Sequence, residues 1–128
     1  MEQKVLVRAV AERTKLSREE SADVTRAVLE GLAEQLSDGE ARRLAADLPG
    51  ALAGQAQLQR RRRKGAHPVG VDEFILRLSE RAGLTEADAR EGAGAVLAAL
   101  REALSEDGYQ HLIGQLPAGY TSLERAIG

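Results

Sequence analysis

Apolar residues recur at helical spacing along most of the chain. Near the N-terminus, Leu6, Val7 and Val10 share one face of a helix that the pattern predicts over residues 3–14. A second and longer apolar stripe predicts a helix over residues 18–36. No segment shows a convincing alternation of polar and apolar residues, which is typical of a half-buried strand. The pattern therefore predicts an all-α fold.

The same pattern occurs twice, with an offset of 68 residues. A leucine followed by a hydroxyl residue occurs at Leu16 and again at Leu84, and Leu-Pro occurs at Leu48 and again at Leu116. Each copy of such a repeat is a supersecondary unit that buries its apolar face against the other. The sequence thus predicts a helical bundle of two tandem, pseudo-symmetric repeats, each with three to four helices, around one shared core.

Hydroxyl residues mark the start of the long helix in each copy. The motif that begins at Ser17 is a capping box, and Thr85 opens the corresponding helix of the second copy, over residues 86–104. This second helix contains Gly92 and Gly94, each of which costs about 1 kcal/mol in a helix interior. Small residues let two backbones approach, so the glycines predict a close helix crossing.

Three segments follow from this organisation. We predict a first helical repeat over residues 1–54, a basic Gln- and Arg-rich linker over 55–70 and a second helical repeat over 71–128, within a single compact domain. A short fourth helix is predicted after the Leu-Pro motif of each copy, where Leu52 corresponds to Tyr120. Both repeats are acidic: 8 basic and 10 acidic side chains precede the linker's basic run, and 5 basic and 10 acidic ones follow it.

Composition narrows the class of protein. The chain has no cysteine, which excludes disulfides, thiolate nucleophiles and cysteine metal sites. Phe74, Tyr109 and Tyr120 are its aromatic residues, so the core must consist of Leu, Val and Ala in closely packed helices. No apolar run approaches the roughly 20 residues of a membrane span, and the N-terminus does not resemble a signal peptide. We therefore expect a soluble protein of the cytoplasm.

The duplicated motifs resemble a known family. Glu-Arg at the end of the first helix, the Leu-[Ser/Thr] cap, Ala-Val-Leu-x-x-Leu in the long helix and a final Leu-Pro all occur twice. Together they resemble the bacterial family known as domain of unknown function 2267, over nearly the whole chain. This resemblance implies a small helical fold and transfers no catalytic site. The opening helical pair also resembles that of the histone-like HU proteins, but no strands or basic β-arm are predicted to follow it here.

The sequence contains none of the common enzyme signatures. It lacks a Walker loop, a dinucleotide-binding glycine motif that follows a strand, and the zinc motif His-Glu-x-x-His. The two histidines, His67 and His111, lie in different segments, and a lone imidazole makes neither a zinc site nor a catalytic triad. His111 is expected to contact Asp107, one helical turn earlier. We predict a protein with no enzyme activity, no cofactor and no metal.

A run of five cations in the linker is the strongest functional indication. Its side chains can neutralise nucleic-acid phosphates, or contact an acidic protein, a lipid surface or the acidic helices of the same chain. Against nucleic acid, both repeats are acidic and no aromatic residue interleaves the run to stack on bases. The residues of the run are Arg60, Arg61, Arg62, Arg63 and Lys64.

Tyr109 is a second candidate for a partner contact, because it takes the position of Ala41 in the first copy and is expected to be exposed. We predict a non-enzymatic interaction or scaffold module that binds an unknown protein partner or associates with itself. The alternative is a nucleic-acid-associated protein in which Arg60–Lys64 contact phosphates independently of sequence.

Overall fold

Six α-helices are bounded within the residues that the computed structural model describes, which are 3–36, 39, 42–43 and 69–125. No strand occurs in these residues, and the predicted all-α fold is confirmed for them. The predicted ends of the long helices agree with the observed ones to within one residue. The helices are α1 (Gln3–Arg13), α2 (Arg18–Gln35), α3 (Val71–Ala82), α4 (Glu86–Ala103), α5 (Glu106–Gly114) and α6 (Tyr120–Arg125).

Part of the predicted organisation lies outside the described residues. This applies to Leu44, Leu48 and Leu52, which mark the short helices predicted at the end of the first copy, and to the basic run Arg60–Lys64. The short helices predicted at the end of the second copy are present as α5 and α6, on either side of Pro117. None of the described helices combines the length and the apolar character needed to cross a membrane.

Side-chain caps fix where α2, α4 and α5 begin. The Ser17 hydroxyl accepts a hydrogen bond from the Glu20 N–H at 3.1 Å, and the Glu20 carboxylate accepts one from the Ser17 N–H at 3.0 Å. These two bonds complete the predicted capping box. Thr85 and Ser105 accept in the same way from N–H groups three residues later. At the other end of a helix, Gly83 terminates α3 in a left-handed conformation with φ 67°.

α4 is the central helix of the described part, and it packs against α1, α2, α3, α5 and α6. α2 packs against α1, α3 and α4. The hairpin of α1 and α2 and the hairpin of α3 and α4 therefore interlock, since α1 lies against α4 while α3 lies against α2. Neither hairpin can bury its apolar faces fully without the other, because a helix must cover its apolar stripe with another element.

Two glycines allow the interlocked helices to approach closely. A Cβ atom added to Gly92 would lie 2.7 Å from the Cγ2 atom of Val24, and one added to Gly31 would lie 2.7 Å from the Cε1 atom of Phe74. Real Cβ atoms do not come this close to their neighbours, so any larger residue would push the helices apart. The close crossing predicted from glycine in the long helices is confirmed at both positions.

Tyr120 joins α6 to the core. Its buried ring meets Phe74 edge to face, with ring centroids 5.2 Å apart. Its hydroxyl donates to the Val69 carbonyl at 2.8 Å and lies 3.1 Å from the Oε1 atom of Gln35, which also accepts from the Val69 N–H. Burial raises the pKa of Tyr120 to about 12, against a smaller lowering by Gln35. This cluster ties together the end of α2, the start of α3 and α6.

Candidate functional site

A charged groove lies along the outer side of α2, beside the C-terminal turn of α3. On α2, Asp23, Arg26, Ala27 and Glu30 are spaced at i, i+3, i+4 and i+7, so they share one face of the helix. Arg81 closes the groove from the last turn of α3. These five residues line a volume of about 400 Å³, which we call the α2–α3 groove.

One arginine of the groove is already paired. The Nη2 atom of Arg81 lies 2.7 Å from the Oε1 atom of Glu34, which is a normal length for a charge-assisted hydrogen bond. The side chain of Glu34 is only 5% exposed. A buried carboxylate requires such a partner, because an unpaired charge in the interior is costly. Arg81 therefore spends its principal interaction on Glu34, at the floor of the groove.

Glu30 has no comparable partner. The Nη1 atom of Arg81 lies 4.0 Å from its Oε2 atom, at the outer limit of an ion pair, and the side chain of Glu30 is 17% exposed. Burial raises the pKa of Glu30, while Arg81 and Arg26 oppose that shift and Glu34 adds to it. The carboxylate is thus partly removed from water without a short charge-assisted hydrogen bond to any described cation.

Arg26 is also incompletely satisfied. Its Nη1 atom lies 3.9 Å from the Oδ1 atom of Asp23, a loose contact between partly exposed side chains. Its Nε atom is buried and has no hydrogen-bond partner, which among the described side-chain atoms is true otherwise only of the Ser21 hydroxyl. Buried polar atoms are normally hydrogen-bonded, so an exception requires an explanation. The groove therefore holds both a donor and an acceptor that the described residues leave without a close partner.

A second arginine–glutamate pair lies elsewhere in the fold and provides a reference. Arg13, at the end of α1, pairs with Glu102 of α4, whose side chain is 62% exposed. Arg13 and Glu102 stand 68 residues from Arg81 and Glu34 respectively. The positions 68 residues after Arg26 and Glu30 are Gly94 and Ala98, so no charged stripe accompanies the second pair.

The expectation that Tyr109 is exposed is wrong. Its ring is 3% exposed, and the guanidinium of Arg101 lies over it at 5.8 Å from the ring centroid. Tyr109 is followed by Leu112 and Leu116 at i+3 and i+7, both buried, so all three residues share the inward face of α5 and its C-terminal turn. That spacing was the signal for a core position, and it outweighs the comparison with Ala41.

The other candidate residues are placed as follows. The basic run Arg60–Lys64 lies outside the described residues, and no contact of it is described. His111 makes the surface contact predicted for it, with its Nδ1 atom 2.9 Å from the carbonyl oxygen of Asp107 and 3.7 Å from the carboxylate of the same residue. Arg43 also binds this carboxylate, at 3.1 Å. In the part of the chain that is described, no group of three or more His, Asp or Glu side chains is arranged to hold a metal ion.

The α2–α3 groove was not identified from the sequence. Asp23, Arg26 and Glu30 follow helical spacing, but a charged stripe of this kind usually marks only the solvated face of a helix. What converts the stripe into a groove is Arg81, which stands 51 residues after Glu30 in the sequence and is brought to α2 by the packing of α3. The local pattern therefore carried half of the signal.

The comparison with known families agrees with the helical architecture. The sequence model of the family described as "Uncharacterized conserved protein (DUF2267)" matches residues 3–123. The chain belongs to this family, as the duplicated motifs indicated. No curated protein matches the chain. Family membership assigns no activity or ligand, so a functional proposal depends on the groove and the charges around it.

Proposed function

We propose that this protein is a non-enzymatic interaction or scaffold module, and that a protein partner docks in the α2–α3 groove. The observation that carries the proposal is the incomplete charge network of Arg26 and Glu30 in a concave site. Polar networks that are only partly satisfied are costly, and a partner that supplies the lacking hydrogen bonds recovers that cost on binding. An unidentified protein partner or a second copy of the chain fits this role, and a cytoplasmic location is part of the proposal.

A comparison along the chain supports a functional origin for these charges. The positions that correspond to Arg26 and Glu30 on α4 are Gly94 and Ala98, and α4 is as long and as regular as α2. Helix formation and packing at such positions therefore do not require charged side chains. Conversely, partial burial of Glu30 opposes ionisation and contributes no evident stability. Residues that the fold does not need are the natural candidates for binding.

We also propose that the chain consists of two tandem copies, with the boundaries predicted above. Support comes from reciprocal contacts: Arg13 pairs with Glu102 and Arg81 pairs with Glu34, with corresponding residues 68 positions apart. α1 packs on α4 as α3 packs on α2. In this interpretation the second copy retains the architecture, and the first copy carries the binding charges.

Affinity capture with matched variants tests the interaction role. The tagged chain would be expressed in its own organism and its partners quantified by mass spectrometry. The groove variant combines Arg26→Ala with Glu30→Ala. The control combines Arg8→Ala with Glu12→Ala, an exposed pair on α1 with the same spacing and the same zero change in net charge.

We expect at least one partner to be retained by the wild-type chain and by the control, but depleted about tenfold or more with the groove variant. Such a loss corresponds to truncating a charged residue at the centre of an interface. Identical sets of partners for all three chains would contradict the proposal. Circular dichroism of each purified variant establishes that the helical fold is retained.

The competing proposal is sequence-independent nucleic-acid binding by the basic run Arg60–Lys64. It is supported by five consecutive positive charges, which can release counterions from a phosphate backbone. The test is fluorescence anisotropy of a labelled duplex DNA in a salt series, with a variant in which the five residues are glutamine. Binding with a log–log salt slope of roughly −3 to −5 that flattens in the variant supports it. No binding at low salt contradicts it.

A further inference from the structure

We infer that the α2–α3 groove recognises a basic peptide segment, with a cationic side chain of the partner bound between Glu30 and Asp23. The inference rests on the proposed function and names the chemistry of the partner. It follows from three features of the groove: the balance of charge, the spacing around Glu30 and the unpaired Nε atom of Arg26.

The balance of charge favours a cationic occupant. Arg81 is neutralised by Glu34 at 2.7 Å, which removes this pair from the account. Asp23 and Glu30 then face Arg26 alone, so the groove retains one negative charge. Because Glu30 is partly shielded from water, its interaction with an incoming charge is weakened less by the solvent than that of a fully exposed carboxylate. A negatively charged partner would meet two carboxylates there.

The spacing around Glu30 leaves a place for a donor. Charge-assisted hydrogen bonds to carboxylates are about 2.7–2.9 Å long, whereas Arg81 stands 4.0 Å from Glu30. Arg81 cannot close this gap freely, since its other Nη atom is engaged with the buried Glu34. A lysine or arginine side chain from a partner can supply the short bond that Glu30 lacks.

Arg26 adds a requirement for an acceptor next to the cation. Its Nε atom is buried and unpartnered, and its terminal group makes only a 3.9 Å contact with Asp23. A peptide carries a carbonyl group at every residue, so a segment that places its cationic side chain at Glu30 also brings main-chain acceptors to Arg26. A free amine offers no such acceptor, and this distinguishes a peptide from a small polyamine.

Fluorescence anisotropy with synthetic peptides tests the inference. The probe is a labelled seven-residue peptide, Gly-Ser-Arg-Gly-Arg-Ser-Gly, compared with the same peptide carrying Gln or Glu in place of both Arg residues. The proteins are the full-length wild type, Glu30→Gln and the control Glu12→Gln, which removes one exposed carboxylate from α1 and changes the net charge equally. Spermidine serves as the competitor.

We expect the arginine peptide to bind the wild type and Glu12→Gln alike, and Glu30→Gln to weaken binding about tenfold or more, as truncation of a partly buried charge partner does. The glutamine and glutamate peptides should not bind. Spermidine should displace the peptide only at concentrations where added NaCl of the same ionic strength does so too.

Three results would overturn the inference: equal affinity for the arginine and glutamine peptides, equal weakening in Glu30→Gln and Glu12→Gln, or specific displacement by spermidine. The inference can fail separately from the proposed function. If no basic peptide binds while the groove variant still loses partners in affinity capture, the cationic assignment is wrong and the docking role is retained. If neither experiment shows dependence on the groove, both are wrong.

Discussion

The pairs Arg81–Glu34 and Arg13–Glu102 consist of the same residue types and each joins two helices, yet their surroundings differ. Glu34 is 5% exposed at the floor of a groove, whereas Glu102 is 62% exposed on the surface. Around the first pair stands the charged stripe of α2, and along the corresponding stretch of α4 the residues are Gly and Ala. The difference teaches that an arginine–glutamate pair suffices to join these helices, and that the additional charges on α2 serve something else.

The most severe way to break the likeness of the two sides is at their crossing, where Val24 meets Gly92, a residue 68 positions later. Gly92→Val should lower the free energy of unfolding by about 3 kcal/mol, because the added side chain overpacks a contact with no room for it. Urea unfolding followed by circular dichroism measures this loss.

The exchanged pair sharpens the same test. If the two sides are equivalent at the crossing, Val24→Gly combined with Gly92→Val should recover at least half of the loss caused by Gly92→Val alone. Losses that simply add would show that the two positions are not interchangeable, and the proposed tandem relation would lose its support at this point.

The two arginines should differ in their effect on stability. Arg81→Ala leaves Glu34 buried without its partner, and we expect a loss of about 2 kcal/mol, moderated by the partial exposure of Arg81. Arg13→Ala should cost less than about 0.5 kcal/mol, since Glu102 remains solvated. Equal losses in urea unfolding would mean that burial does not distinguish the pairs. High salt should reduce the small effect of Arg13 further.

Tyr120 tests an asymmetry of hydrogen bonding, since the corresponding residue of the first copy is Leu52. Tyr120→Phe removes the hydroxyl that donates to Val69 and should cost about 1 kcal/mol at neutral pH. Because the pKa of Tyr120 is about 12 in the folded protein, above its ordinary value, the folded state keeps this proton after the unfolded state has lost it.

It follows that the wild type should lose stability relative to Tyr120→Phe as the pH rises from about 10 to 12. Urea unfolding at several alkaline pH values checks this, with the variant as the control for all other titrating groups. A difference that stays constant over that range would show that the hydroxyl titrates normally.

The smallest expected effect on stability concerns the groove itself. Glu30→Gln should change the free energy of unfolding by no more than about 0.5 kcal/mol at neutral pH, because Glu30 makes no close ion pair. As its pKa is raised, the wild type should also lose stability relative to Glu30→Gln when the pH rises through the range where glutamate titrates. A large loss of stability in Glu30→Gln would indicate a structural role and remove the contrast with Ala98.

Local chemistry made much of the fold predictable. The caps at Ser17, Thr85 and Ser105 act within four residues, so the helix starts could be found from the sequence. Glycine inside a long helix has few explanations other than close packing, and it correctly indicated the crossing. These features depend on neighbours in sequence or on a single steric rule, which is why they needed no knowledge of the tertiary structure.

What could not be predicted depends on which helix faces which. Tyr109 was misplaced because its counterpart in the first copy is a small residue, whose burial says little about a ring. The α2–α3 groove requires Arg81 beside α2, a contact set by the exchange of partners between the hairpins. A sequence pattern does not encode that exchange, so the charges on α2 looked like an ordinary solvated surface.

The interlocking of the hairpins also has a consequence during synthesis of the chain. α1 and α2 are complete at residue 35, but α4, against which both pack, is complete only at residue 103. At about 5–20 residues per second, the N-terminal hairpin waits roughly 3 to 14 s for the helix that covers it. During that interval, two nascent chains on one messenger can exchange hairpins, and a domain-swapped dimer is the product to expect from crowded translation.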